Sequence, residues 1–173
     1  RDKEGIDAFV HRLYNIALIR DGEKAGLEDW INRLDTKRES AAEVAWGFFF
    51  SDEFLDKNYT NEQYIELLYL TMFGRGSDEA GKRYWLECLE NGVSREYIYR
   101  GFAESPEFTG LCGDFGVERG SVELNQYRDQ NIEATGFIAR FYTQMLGRSF
   151  DDDGIEYWCQ EYLGEDRSIE EIA

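Results

Sequence analysis

Apolar residues fall at helical spacing in three separate places along the chain. Phe9, Leu13, Ile16 and Ala17 share one face, as do Ile65, Leu68 and Met72, and then Phe137, Phe141, Met145 and Leu146. Steps of three and four residues bring such positions to one side of an amphipathic helix. No stretch alternates at period two for long enough to predict a strand. Each periodic stretch leads to a second helix carrying a tryptophan and a third opened by a serine. Ser40 with Glu43 and Ser168 with Glu171 have the spacing of a capping box, as does Thr60 with Gln63 ahead of the second periodic stretch. Ser94 caps the corresponding helix in the middle of the chain, but Tyr97 holds the place of the reciprocal acid. Ser51 and Ser105 open a short fourth helix, with Pro106 at the first helical position that proline favours.

The elements repeat in order. Arg20, Gly26, Trp30 and Gly47 are followed at matching positions by Arg75, Gly81, Trp85 and Gly101, and Arg148, Gly154 and Trp158 begin the series again. Trp30 to Trp85 is 55 residues and Trp85 to Trp158 is 73, so the second connection is longer than the first by about 18. A longer period relates Arg1-Asp2 to Arg128-Asp129 and Trp30 to Trp158, which predicts alternating module types. The chain therefore divides into repeat one (1–56), repeat two (57–109), a glycine-rich connector (110–127) and a partial repeat three (128–173). The expected fold is all-α: tandem modules of three to four helices sharing a continuous core.

Gly74 and Gly147 sit just past the first helix of their repeats, where a left-handed cap residue is needed. Asp78 and Asp151 stand as N-caps of the second helix. Repeat one departs from this pattern, with Ile19 in place of the cap glycine and Glu23 in place of the aspartate.

Leu146-Gly147-Arg148, Asp151, Gly154 and Tyr157-Trp158, with Gly101-Phe102 and Ser105 to Phe108 in the complete repeat, resemble the bacterial "domain of unknown function 4214" family. The connector from Leu111 to Gly116, together with Arg119-Gly120 and Arg128 to Asn131, resembles a longer version of that repeat. The resemblance implies an all-helical fold, distantly similar to phycobilisome linker modules. It also implies an extracellular or cell-wall protein of many modules, often joined to immunoglobulin-like or wall-binding domains. It implies no reaction, because the family has none assigned.

Composition agrees with a folded chain: 42% of residues are hydrophobic and 16% aromatic. Nineteen Lys and Arg against 36 Asp and Glu leave a net charge of −17. Such a surface repels phosphate, which argues against nucleic acid and against anionic membrane surfaces. No apolar run approaches the length of a membrane span. The chain opens without a Met and stops inside a helical pattern, which reads as a piece of something longer.

Candidate chemistry is sparse. The recurring arginine (Arg20, Arg75, Arg148) reads either as a repeated anion clamp or, preferably, as a structural group that pairs with helix-end carbonyls or a nearby carboxylate. Asp151-Asp152-Asp153-Gly154 superficially suggests a calcium loop, but Ser149 and Gln160 would occupy its first and last positions, so capping is the better account. The single histidine, His11, has no partners for a metal site or a triad and reads as a surface or boundary residue. No nucleophile elbow or phosphate loop occurs, so no catalytic residue, cofactor or metal is expected. Cys88 falls on an apolar helix face as an inert thiol. A Cys112–Cys159 disulfide would pin the connector onto repeat three in an oxidising compartment, with three free thiols as the alternative. Phe50 aligns with Glu104, so it either packs between repeats, the favoured reading, or anchors a partner.

The resulting expectation is a non-enzymatic extracellular or cell-wall module that binds a host or cell-surface protein, such as immunoglobulin or mucin, in the manner of an adhesin. A structural spacer is the first alternative. A carbohydrate-binding module is the second, opposed by tryptophans that repeat at core positions.

Overall fold

In the computed structural model, which describes residues 2–164, α1 (Asp2–Ala17) buries Ile6, Phe9, Val10, Leu13, Tyr14 and Ala17 along one face. These positions step by three and four, so the sequence pattern becomes a packed stripe. α2 (Lys24–Asp35), α3 (Ala41–Phe49) and the short α4 (Asp52–Leu55) complete repeat one. α5 (Asn61–Leu68) runs into a π-helical turn (Tyr69–Phe73), followed by α6 (Glu79–Glu90), α7 (Arg95–Ala103) and α8 (Pro106–Phe115). A 3-10 turn (Tyr127–Asp129), α9 (Ile132–Leu146) and α10 (Asp152–Gly164) follow. Among the described residues there is no strand, and the fold is an all-α arrangement of tandem repeats.

The capping residues form where they were expected. Ser40 and Glu43 close one box and Thr60 and Gln63 another, while Ser51 and Ser105 accept from the backbone N–H of Phe54 and Phe108, each at 3.2 Å. Ser168 and Glu171 lie outside the described residues. Ser94 caps α7 through the Tyr97 N–H at 3.2 Å, and the acid its box lacks is supplied from a distant part of the chain. The buried Asp129 carboxylate accepts from the Ser94 N–H at 2.9 Å and from its hydroxyl.

The chain divides into two compact bodies, Arg1–Lys82 with Tyr99–Val122 and Arg83–Ile98 with Glu123–Ala173. Their limits fall inside α6 and α7 and so differ from the repeat limits at 56, 109 and 127. The reason is that aromatic side chains join repeats one and two within the first body. Phe49 of α3 packs on Tyr64 at 6.2 Å and Tyr99 at 6.0 Å, and Phe54 of α4 packs on Tyr64 at 6.3 Å. α1 lies against α2, α3, α8 and the π turn. A π turn leaves carbonyls without their usual helical partners, and Arg12 donates to two of them, Leu70 at 2.7 Å and Thr71 at 2.9 Å. In the second body α9 packs on α10 around Ala134, Ile138, Ala139, Ile155, Cys159 and Tyr162.

The connector is shorter than expected from its glycines, since α8 continues through Gly110 and Gly113 to Phe115. Phe108, Cys112 and Phe115 recur at four and three residues, and Phe108 and Phe115 meet Phe9 at 6.5 and 5.9 Å. That apolar stripe holds the helix despite two glycines, and Gly116 ends it at φ 70°. Beyond it, the Glu118 and Arg119 carbonyls accept from the N–H groups of the buried Ala41 and Ala42, each at 2.8 Å, at the start of α3.

Candidate functional site

The recurring side chains form one local assembly, built twice in the first body. In repeat one the Arg20 guanidinium grips both Glu53 oxygens at 2.7 and 2.8 Å and lies 5.2 Å from the Tyr14 ring centre. In repeat two Arg75 grips Glu107 at 3.0 and 2.7 Å and lies 5.2 Å from the Tyr69 ring. The carboxylates come from the Ser51-to-Phe54 and Ser105-to-Phe108 segments. In each, the serine caps a helix, the glutamate takes the arginine and the phenylalanine is buried. Two parallel charge-assisted hydrogen bonds suit the planar guanidinium. They hold Glu53 and Glu107 below the usual carboxylate range and raise both arginines. The structural reading of the arginine holds for these two copies, whose charge is already met by the chain itself. Arg148 rests on Tyr142, with its ring centre at 5.7 Å and its hydroxyl at 3.3 Å, and has no carboxylate partner among the described residues.

The same tyrosines explain a recurring glycine. A methyl group at Gly26 or Gly81 would strike the hydroxyl of Tyr14 or Tyr69, while at Gly154 the Asp151 carboxylate stands 2.7 Å from where it would lie. Asp78 and Asp151 cap their helices, accepting from the N–H of Gly81 at 2.7 Å and Gly154 at 2.6 Å. Glu23 makes no such cap and pairs with Arg20 at 2.9 Å instead. Gly74 and Gly147 take the left-handed conformation, and Ile19 takes it as well. Gly47 touches Trp30, and Gly101 lies in α7, half-buried. Asp152 pairs with Arg128 at 2.8 Å, so two carboxylates of the acidic loop face partners within the chain. No cluster of three His, Cys, Asp or Glu able to hold a metal occurs among the described residues. His11 pairs with Asp7 at 3.5 Å at a half-buried position.

Two expectations need correction, on the disulfide and on the tryptophans, and Phe50 is decided between its two readings. The Cys112–Cys159 bridge is not formed, and all three cysteines are free. Cys112 is buried on α8 in the first body and Cys159 on α10 in the second, beside the Thr135 hydroxyl at 3.6 Å. Burial pushes the Cys112 thiol up to about 12 and raises Cys159 too, so neither supplies thiolate at neutral pH. Cys88 is half-buried, and burial again raises it. Phe50 takes the favoured of its two readings, packing between repeats rather than anchoring a partner, for it stacks 4.3 Å from Trp46 and 5.8 Å from Tyr99 at the join of repeats one and two. The tryptophans are not all core residues. Trp30, Trp46 and Trp85 are half-buried, whereas Trp158 is 48% exposed beside the exposed Tyr157.

Sequence reasoning missed the network that seats the 3-10 turn on α10. Glu156 accepts from the N–H groups of Tyr127 at 3.0 Å and Arg128 at 2.9 Å. Burial raises the Asp129 carboxyl despite the hydrogen bonds from Ser94. The available signals were Tyr97, in a capping box without its acid, and the Arg128-Asp129 pair that repeats Arg1-Asp2.

With this geometry in hand, the comparisons are brief. Residues 5–58 and 49–112 each match the family described as "Domain of unknown function (DUF4214)". No curated protein and no solved structure matches the chain.

Proposed function

The chain belongs to the "Domain of unknown function (DUF4214)" family, and on that premise we propose that it is a non-enzymatic repeat module of a secreted or cell-surface bacterial protein that binds a host protein such as immunoglobulin or mucin. One observation supports this reading above others. The side chains that recur between the complete repeats face one another, arginine to glutamate and glycine to tyrosine, and the aspartate shared by repeats two and three faces its own helix N–H. Recognition is therefore left to the residues that differ, on a surface whose charge is strongly negative. A structural spacer is the second reading, favoured by the Trp46, Phe50 and Tyr99 stack that joins repeats one and two.

The test is a pull-down of the purified chain from intestinal secretions, with mass spectrometry of what is retained and titration of the pure candidate. A saturable host protein whose affinity falls with added salt supports the binding module. Blanks across several secretions refute it in favour of the spacer.

A further inference from the structure

One turn of the first body departs from the pattern of its own repeat. Tyr69 and Arg75 are six residues apart, as are Tyr14 and Arg20, and Tyr142 and Arg148. α9 crosses this stretch as unbroken α-helix as far as Leu146, and α1 stays α-helical to Ala17. α5 alone gives way to a π turn, at Tyr69–Phe73. The residue count therefore does not force the wider turn.

The turn strands a polar group. Thr71 is 1% exposed, and its hydroxyl has no hydrogen-bond partner among the described residues. Elsewhere Thr36, Thr109, Thr135 and Thr143 each donate to the carbonyl four residues back, at 2.7, 3.0, 3.0 and 3.0 Å. In α-helical register Thr71 would reach the Leu67 carbonyl in the same way. The π turn widens that spacing, and a buried hydroxyl left unanswered is destabilising.

What holds the turn comes from repeat one. The Arg12 guanidinium lies across it, donating from Nη2 to the Leu70 carbonyl at 2.7 Å and from Nε to the Thr71 carbonyl at 2.9 Å. A methyl group at Gly74, the left-handed residue that ends the turn, would stand 3.3 Å from the same guanidinium. Two charge-assisted bonds from one planar group fix where both carbonyls point. Arginine stands at this position in repeats one and three, as Arg12 and Arg140, whereas repeat two has Leu67.

We propose that the Tyr69–Phe73 turn has two registers, α and π, and that Arg12 of the neighbouring repeat holds it in the π form. Repeat two thus recognises a repeat of the other kind by accepting its arginine on the carbonyls of the widened turn. Leucine in place of Arg12 offers no donor, so the turn returns to α-helix and Thr71 bonds the Leu67 carbonyl. The pairing of repeats is read out as backbone register, independently of what the acidic surface binds.

The test uses the whole chain labelled with 13C-methyl methionine. Met72, inside the turn and fully buried, reports the register, and Met145 in the second body is the reference. Arg12→Leu, which copies repeat two, is expected to move the Met72 methyl to one new folded position with Met145 unmoved. Thr71→Val removes the hydroxyl at nearly constant shape, and its effect is read from the urea midpoint of the Met72 signal. In the native chain it is expected to raise the folded-to-unfolded ratio of the first body about fivefold. In the Arg12→Leu background, where the hydroxyl is bonded, it is expected to lower that ratio by about the same factor. If the leucine variant does not fold, Arg12→Gln, shorter and uncharged, carries the same readouts. Three outcomes overturn the proposal. The first is a Met72 methyl unmoved without Arg12, which assigns the turn to the stacking of Phe73 on Phe102 at 4.8 Å. The others are a lower midpoint for Thr71→Val in the native chain, and a higher one in both backgrounds.

Discussion

Ile19 offers a stabilising substitution whose size can be worked out from the turn after α1. The other repeats place Gly74 and Gly147 there at φ 71° and 64°, and Ile19 adopts the same left-handed backbone at 55°. A Cβ crowds the carbonyl in that conformation at a cost of about 1–2 kcal/mol, and a branched side chain makes it worse. Ile19 is 65% exposed, so its removal forfeits little apolar burial. Glycine gives back about 0.5–1 kcal/mol through the greater freedom of the unfolded chain. Ile19→Gly is therefore expected to stabilise the first body by about 0.5–1 kcal/mol, raising the melting temperature by roughly 1–4 °C. The assay is urea unfolding followed by tryptophan emission, with the midpoint rising at unchanged slope. Ile19→Ala keeps the Cβ in the left-handed turn and serves as the control, with little or no gain. A loss of stability in Ile19→Gly, or an equal gain in Ile19→Ala, refutes the backbone argument and assigns the effect to the side chain.

The Arg20–Glu53 clasp is about one-third exposed on both sides, so its coupling energy in a double-mutant cycle is expected to be about 0.5–1 kcal/mol, reduced by salt. Glu53 is held below its ordinary value of 4.5, so this contribution is full above that value and disappears as pH falls through the depressed folded value. Urea midpoints measured from pH 6 downward should converge for the native chain and Glu53→Gln at the acid end, and a constant gap would refute the clasp. Gly110 and Gly113 lie in α8 with open space where a Cβ would go, so alanine at either is expected to stabilise by about 0.5–1 kcal/mol by thermal unfolding. A lower melting temperature in either variant would show that α8 does not continue past Thr109.

What was legible in the sequence was local. Capping boxes at Ser40 and Thr60, N-caps at Asp78 and Asp151 and the left-handed glycines all depend on residues within one turn, and they form as read. The pairing of Arg20 with Glu53 lay half in view, since both members recur, but no local spacing says that they meet. Asp129 completing the cap of Ser94, and Arg12 reaching the π-turn carbonyls, join residues far apart; the Arg-Asp pair at 128–129 repeats that at 1–2, but no spacing says what either residue meets. In the connector, glycine content was given more weight than the spacing of Phe108, Cys112 and Phe115, which decides the helix. Trp158 was read as core because Trp30 recurs there, yet a ring is covered by another helix and not by its own.

The start of α3 has a further consequence, for the order in which the chain matures as it leaves the ribosome. Two of the N–H groups there are answered only by the Glu118 and Arg119 carbonyls, and Tyr99 holds the Ala42 carbonyl, so repeat one waits on residues far downstream. At about 5–20 residues per second that delay is on the order of ten seconds. The unit that recurs in the sequence is thus smaller than the unit that folds, and an array of such repeats would mature one module behind its own synthesis.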